Sequence, residues 1–324
     1  MAKIILHYDK IRKINLGYII EALVSVATIY IFILIGFTYK RVFKNEVNER
    51  SFVILNLYFL QPILIFWGLT RAPINDEFII SPLIYFIAVF ITLAIAYFYS
   101  LKVFRKDYQD KSIFMASSLV GNTGNLGIPL GIALFGESSV PYTSILNIAN
   151  IFFIYIFSVY FFAGDKFKFT DALKEIFKIP AMWFAIAALA FNYFGFTLSD
   201  NFDKVFTMGA YAAIVMQLVI FGIFMSQVRI KTANWKLSLN ITLFKHILLP
   251  IIGLYVILLF NLDPFVSAII FLELIVPLAV NNVNLSALYN CKPIDTTFSV
   301  LVSSLFFVLL MYFYILIINS FFGL

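Results

Sequence analysis

Reactive side chains are scarce in this chain of 324 residues, which holds one cysteine and two histidines and in which only 12% of residues are charged. The lone Cys291 excludes an internal disulfide and any cysteine-rich metal cluster. His7 and His246 lie far apart and at expected surfaces, so no metal and no cofactor is anticipated. Also absent are a His-Glu-x-x-His zinc motif, a Walker-type phosphate loop, an Asp-rich prenyl-diphosphate site and a Gly-x-Ser-x-Gly elbow. Enzyme chemistry and ATP-driven pumping are therefore left without their usual residues. The charged opening has no adjoining apolar core or small-residue cleavage site, which argues against a cleavable signal peptide.

What the chain has in abundance is apolar surface. It is 62% hydrophobic with a mean hydropathy of +0.97, more than a soluble core can hide, so an all-α integral membrane protein is expected. The net charge of +6 comes from short basic clusters between apolar runs, which is how topology signals are distributed. Membrane lipid is the expected partner and nucleic acid is not.

Runs of about 20 apolar residues, the length that crosses a bilayer core, can be counted along the chain. Ten are expected, near 17–39, 51–70, 79–101, 112–135, 142–164, 179–196, 206–228, 237–260, 265–289 and 296–322. Basic residues crowd alternate connections: Lys40, Arg41, Lys44 and Arg50; Lys102, Arg105, Lys106 and Lys111; Lys166 to Lys178; Arg229, Lys231, Lys236 and Lys245; Lys292. The other connections hold only Arg71 and Lys204, so the first set is expected in the cytoplasm and both termini outside a plasma membrane. Residues 1–16 read as a basic amphipathic segment on the membrane surface, and 165–178 as an amphipathic connecting loop. They flank two sets of five spans, 17–164 and 179–324. Sets of odd number enter the membrane in opposite senses, the condition for an inverted repeat. Its trace is Ile128-Pro-Leu-Gly-Ile132 in the fourth span against Val276-Pro-Leu-Ala-Val280 in the ninth, with a weaker echo of Gln61 to Phe66 in Gln217 to Phe221.

Polar residues inside these spans are the candidates for function. Pro129 leaves the carbonyl of Asn125 without a donor, and Pro277 does the same to Glu273. Broken helix at membrane depth is tolerated only where protein or a wet cavity satisfies it, so crossover helices bounded by Gly127, Pro129 and Pro277 should line a site. Asn122, Thr123, Asn125, Gln61 and Asn281 are the expected substrate contacts, with Asn150 and Tyr155 meeting there if their helix is locally irregular. Gly127 and Gly131 equally suit a small-residue packing seam. Glu273 lies about 12 Å into its span by a count of 1.5 Å per residue, and with Asn282 and Asn284 it is the candidate for proton or sodium coupling. A protonated carboxyl bonded to a neighbouring helix is the simpler account of it. Lys245 is expected to snorkel to the headgroups and His246 to be interfacial.

The run Asn122-Thr-Gly-Asn-Leu-Gly-Ile-Pro-Leu130 resembles the fourth-span signature of the auxin efflux carrier family, which includes plant PIN carriers and bacterial malate and malonate permeases. Pro277, the run to Ala287, Tyr289-Asn290 and Pro293 resemble its ninth span. The resemblance implies two inverted five-helix repeats, with spans one, two, six and seven as scaffold and the rest as a moving transport domain, in a homodimer. It further implies that Asn122 touches substrate, that Pro129 and Pro277 mark the crossover, and that Asn150 and Tyr155 occupy substrate-contacting positions of the fifth span. A short central loop, and Ile65 where plant carriers have serine, point to a microbial member rather than to auxin. The expected function is secondary transport of a small organic anion, a carboxylate, by alternating access. The anion would be held by half-helix N-termini and amides because no Arg or Lys is expected near the midplane. A sodium- or proton-coupled importer and a non-transporting sensor are the competing readings.

Overall fold

The computed structural model describes residues 16–227 and 234–323, and among them regular structure is helical apart from one isolated antiparallel bridge between Gly121 and Leu278. In chain order the first helices are α1 (Leu16–Phe43), α2 (Glu49–Leu69), α3 (Asp76–Val103), α4 (Tyr108–Ser117), α5 (Thr123–Phe135), α6 (Glu137–Lys166) and α7 (Phe169–Phe177). They continue as α8 (Pro180–Tyr193), α9 (Asp200–Met225), α10 (Trp235–Phe260), α11 (Pro264–Ile275), α12 (Asn281–Leu288) and α13 (Pro293–Phe322). The expected amphipathic opening lies outside the described residues except for Leu16, and so do Arg229 and Lys231.

Seven helices, α1, α2, α3, α6, α9, α10 and α13, are long and apolar enough to cross a membrane, which makes the chain a multi-pass membrane protein. The other three expected spans take different forms. The fourth and ninth are each interrupted, at residues 118–122 and 276–280, and the sixth is α8, 14 residues long and bent by 66° from α7. Helix α7 buries Ala172 and Ile176 while Asp171 and Lys174 stay exposed, the amphipathic pattern its sequence calls for.

Three helices widen into a π turn just ahead of a proline. The turns are Asn56–Leu60 before Pro62, Thr123–Gly127 before Pro129 and Phe244–Leu248 before Pro250. In each, the residue preceding the proline donates to the carbonyl five back, so the helix passes a residue that cannot donate. A fourth π turn, Ile154–Ser158, lies in α6.

Helices α1, α2, α8 and α9 pack chiefly on one another, and α3 to α6 with α10 to α13 form the remaining body. The α1–α9 contact is backbone to backbone. A Cβ on Gly36 would collide with the carbonyl of Val219, and one on Gly222 with that of Ile33. At one end of the molecule Lys292 pairs with Asp107 (2.6 Å) and Asp110 (2.7 Å), and Asn234 donates to Asp110 (2.8 Å). The hydrogen bond from Lys292 holds the Asp107 carboxyl below its ordinary range, so this tie is present at neutral pH and is lost as pH falls through that lowered value. At the other end Arg71 pairs with Asp203 (2.7 Å), and Glu77 accepts from the Asp263 amide (2.7 Å).

Gly222→Val should separate α1 from α9 and cost roughly 1–3 kcal/mol or more, the usual range for overpacking. Thermal unfolding in detergent should read this as a clear drop in midpoint. Leu34→Ala, at a site 63% exposed, should leave the midpoint unchanged.

Candidate functional site

Two interrupted helices meet through their own backbones. The Asn122 amide donates to the Pro277 carbonyl (2.7 Å), and the Ala279 amide donates to the Val120 carbonyl (3.1 Å). Pro277 ends α11 because its ring disfavours helix at Val276, which is extended (φ −52°, ψ 145°). The first interruption contains no proline. It falls in Ser118-Leu-Val-Gly-Asn122, in which Ser118, Val120, Gly121 and Asn122 are weak helix formers, and its extended form is fixed by its partner. This corrects the expected register: Gly127 and Pro129 lie inside α5, past the interruption, and only Pro277 sits at the crossing. The Ile-Pro-Leu-Gly and Val-Pro-Leu-Ala runs therefore do not face each other; Leu278 pairs with Gly121.

The glycines of this segment admit polar side chains from three other helices. A Cβ on Gly124 would stand 2.9 Å from Oδ1 of Asn147, and one on Gly121 would stand 3.0 Å from Nζ of Lys245. A Cβ on Gly127 would collide with the carboxylate of Glu273. The packing-seam reading holds at Gly131, which faces Thr143 and Ser139 of α6.

A cavity of about 130 Å³ opens beside the paired interruptions. All seven expected substrate contacts line it: Gln61, Asn122, Thr123, Asn125, Asn150, Tyr155 and Asn281, together with Asn284. The irregularity needed to bring Asn150 and Tyr155 together is the π turn that begins at Ile154. Asn150 is a positioning residue. Its amide donates to the Gly121 carbonyl (2.8 Å) and to Thr123 (3.0 Å), and its oxygen accepts from Tyr85 (3.1 Å). Thr123 in turn donates to Asn147 (2.9 Å). Two lining residues with polar side chains escaped the sequence reading, Asn56 and Asn147. Asn147 stands three before Asn150 on one helical face, and Asn56 opens a π turn five before Gln61; those spacings were the available signals. The Nδ2 groups of Asn122 and Asn147 and the Oδ1 of Asn56 are buried without a partner within the protein.

Among the described residues no acidic or basic side chain lines the cavity. The N-terminal ends of α5 and α12 both reach it, through Thr123 to Asn125 and through Val280 and Asn281. A helix start leaves its first N–H groups unpaired and carries a partial positive charge, so the wall presents donors.

Other candidates lie elsewhere. Asn282 is buried outside the cavity lining, and Gln217, the counterpart of Gln61 in the echo, is buried with neither amide atom partnered. Glu273 is fully buried and neither oxygen has a hydrogen-bond partner in the protein, so the simple inter-helix bond is not found. The expectations for Lys245 and His246 are overturned, because both are buried. Lys245 donates to the Leu274 carbonyl at the end of α11 (2.8 Å), so a lysine does lie among the interrupted helices. His246 contacts Ser303 (2.8 Å), which accepts from the Leu278 amide (3.0 Å), and Tyr314 (3.0 Å).

Interrupted helices paired around an uncharged polar cavity, in a bundle of membrane-crossing length, define a membrane transporter. The family described as membrane transport protein matches residues 18–315, and the chain belongs to it, in keeping with the auxin efflux carrier signature in its fourth span. An uncharacterized transporter of Methanocaldococcus jannaschii, MJ1031, is 23% identical over 302 residues, covering 86% of this chain and 96% of that protein.

Asn150→Ala leaves the Gly121 carbonyl unpaired and should cost roughly 1–3 kcal/mol. Asn122→Ala should cost much less, because its Nδ2 has no partner to lose. Parallel thermal melts of the two variants in detergent check the difference.

Proposed function

We propose that the protein is a secondary transporter for a small organic anion, a compact carboxylate, moved by alternating access around the paired interruptions. One observation carries this reading: two helix N-termini and two asparagines with unpartnered buried amide donors, Asn122 and Asn147, line one cavity to which no acidic side chain among the described residues contributes. A cation site needs converging oxygen acceptors, whereas the buried unpartnered side-chain atoms of the lining are two amide donors, of Asn122 and Asn147, and one acceptor, Asn56 Oδ1. The cavity of about 130 Å³ is smaller than the roughly 300–1,000 Å³ of sites for drug-sized ligands, which favours a compact ligand.

Two inverted five-span repeats are the architecture of this reading. They are supported by the antiparallel pairing of the interruptions and by the ion pairs that join alternate connections at opposite ends. The body of α1, α2, α8 and α9 is the scaffold and the remainder carries the paired interruptions, with the cavity between them lined from the scaffold side by Asn56 and Gln61 of α2 and Ile220 and Phe224 of α9. The excess of lysine and arginine in alternate connections supports a plasma-membrane orientation with both termini outside.

Flux of a panel of small mono- and dicarboxylates into proteoliposomes tests the function. At least one should saturate. For that substrate, Asn122→Ala and Asn147→Ala should each raise KM roughly ten- to hundredfold, as a bond to a charged group contributes about 1.5–3 kcal/mol. A panel with no saturable member refutes the function, and a KM indifferent to both changes refutes the site.

A further inference from the structure

Dipoles and amides are not the whole electrostatics of this site. Lys245 is fully buried in α10, and its ammonium meets the Leu274 carbonyl at 2.8 Å. That carbonyl belongs to the C-terminal end of α11, where Pro277 cuts off the continuing donors and where the helix dipole is negative. Glu273, one residue earlier, feels the Lys245 charge but makes no ion-pair contact with it within 4.0 Å. The backbone carbonyl of Glu273 is also at hand, 3.3 Å from the point where a Gly121 Cβ would lie, against 3.0 Å for the ammonium itself. The Leu274 carbonyl is the oxygen the ammonium bonds, and the carbonyl and carboxyl of Glu273 are further oxygens at this end of α11, donors of the kind that take a hard cation.

The other ionisable groups nearby are already engaged. His246 contacts Ser303 and Tyr314, and Tyr85 donates to Asn150. Lys245 is the basic side chain at this junction, and Gly121, whose missing Cβ would lie 3.0 Å from its Nζ, also lines the cavity.

We propose that the Lys245 ammonium is a tethered cation: it fills the place among the α11 oxygens that a dissolved coupling ion would need, and presents positive charge to the transported anion through Gly121. The inference rests on the anion-transport reading and deepens it. A cation on a side chain cannot be taken up and released each cycle, so transport proceeds without sodium. Glycine at 121 is what lets the charge approach, since a methyl there would press on the ammonium and on Val276 (2.8 Å).

Three measurements test it. Wild-type flux of a saturating carboxylate should be equal in sodium chloride and choline chloride. Lys245→Met with Glu273→Gln, which removes both charges together, should raise KM roughly tenfold or more relative to Glu273→Gln alone, as loss of one nearby charge predicts. Lys245→Ala should gain a sodium-dependent, choline-independent rise in melting temperature that the wild type lacks, because its oxygens become available to the ion. Sodium-dependent wild-type flux, equal KM values in the two variants, or no sodium response in Lys245→Ala would each overturn the tethered cation. If no carboxylate saturates the wild type, the transport reading fails, while the melting experiment still reads the cation site on its own. Should the variants not fold, the wild-type comparison of the two salts decides.

Discussion

The pairing of the two interruptions is the constraint on which the rest of the molecule depends. A backbone group left unpaired in hydrocarbon costs several kcal/mol, and two unwound segments at that depth expose many such groups. Here each segment is the other's partner, through Asn122 to Pro277 and Ala279 to Val120. The residual groups are met by side chains from elsewhere: Asn150 takes the Gly121 carbonyl, Ser303 the Leu278 amide and Lys245 the Leu274 carbonyl. Helices α6, α13 and α10 are thereby committed to the crossing. Unwinding is tolerable because the satisfaction is this complete, and the cavity exists because two helices restart on the same side of it.

Glycine spacing follows from that commitment. The crossing must be approached closely by Lys245, Asn147 and Glu273, and each meets the first interrupted span where a side chain is missing, at Gly121, Gly124 and Gly127. The motif that drew attention as a helix-breaking patch is better described as a row of openings. Its polar residues then divide by task. Asn150 and Thr123 are used up in holding the segment, whereas Asn122 and Asn147, which line the cavity, each keep an amide donor unpartnered. Such a division suits a transporter, in which a site must hold its shape while its ligand comes and goes.

The sequence made the helical membrane class, the amphipathic α7 and the polar cavity-lining residues legible, since polar residues inside apolar runs have few places to go; of the ten expected spans, seven are single helices of membrane-crossing length. Register was less legible. The two proline runs look alike in sequence, yet Pro277 breaks its helix while Pro129 is carried through by a π turn, and hydropathy does not distinguish these outcomes. Lys245 was misread for a simpler reason: its nearness to a charged connection suggested snorkelling. Counting about 1.5 Å per residue from the expected start of that span places it as deep as Glu273, about 12 Å in. The same count that singled out the carboxylate also pointed to its counter-charge.

Placing that charge behind a glycine rather than in the cavity wall has a physical consequence. An exposed ammonium would form a direct pair with a carboxylate substrate, and a pair of that strength in a dry site resists release. Set back behind one thickness of backbone, the same charge biases the cavity toward anions without contacting them, and the amides and helix starts supply the directional bonds. Release then requires breaking hydrogen bonds of ordinary strength rather than an ion pair.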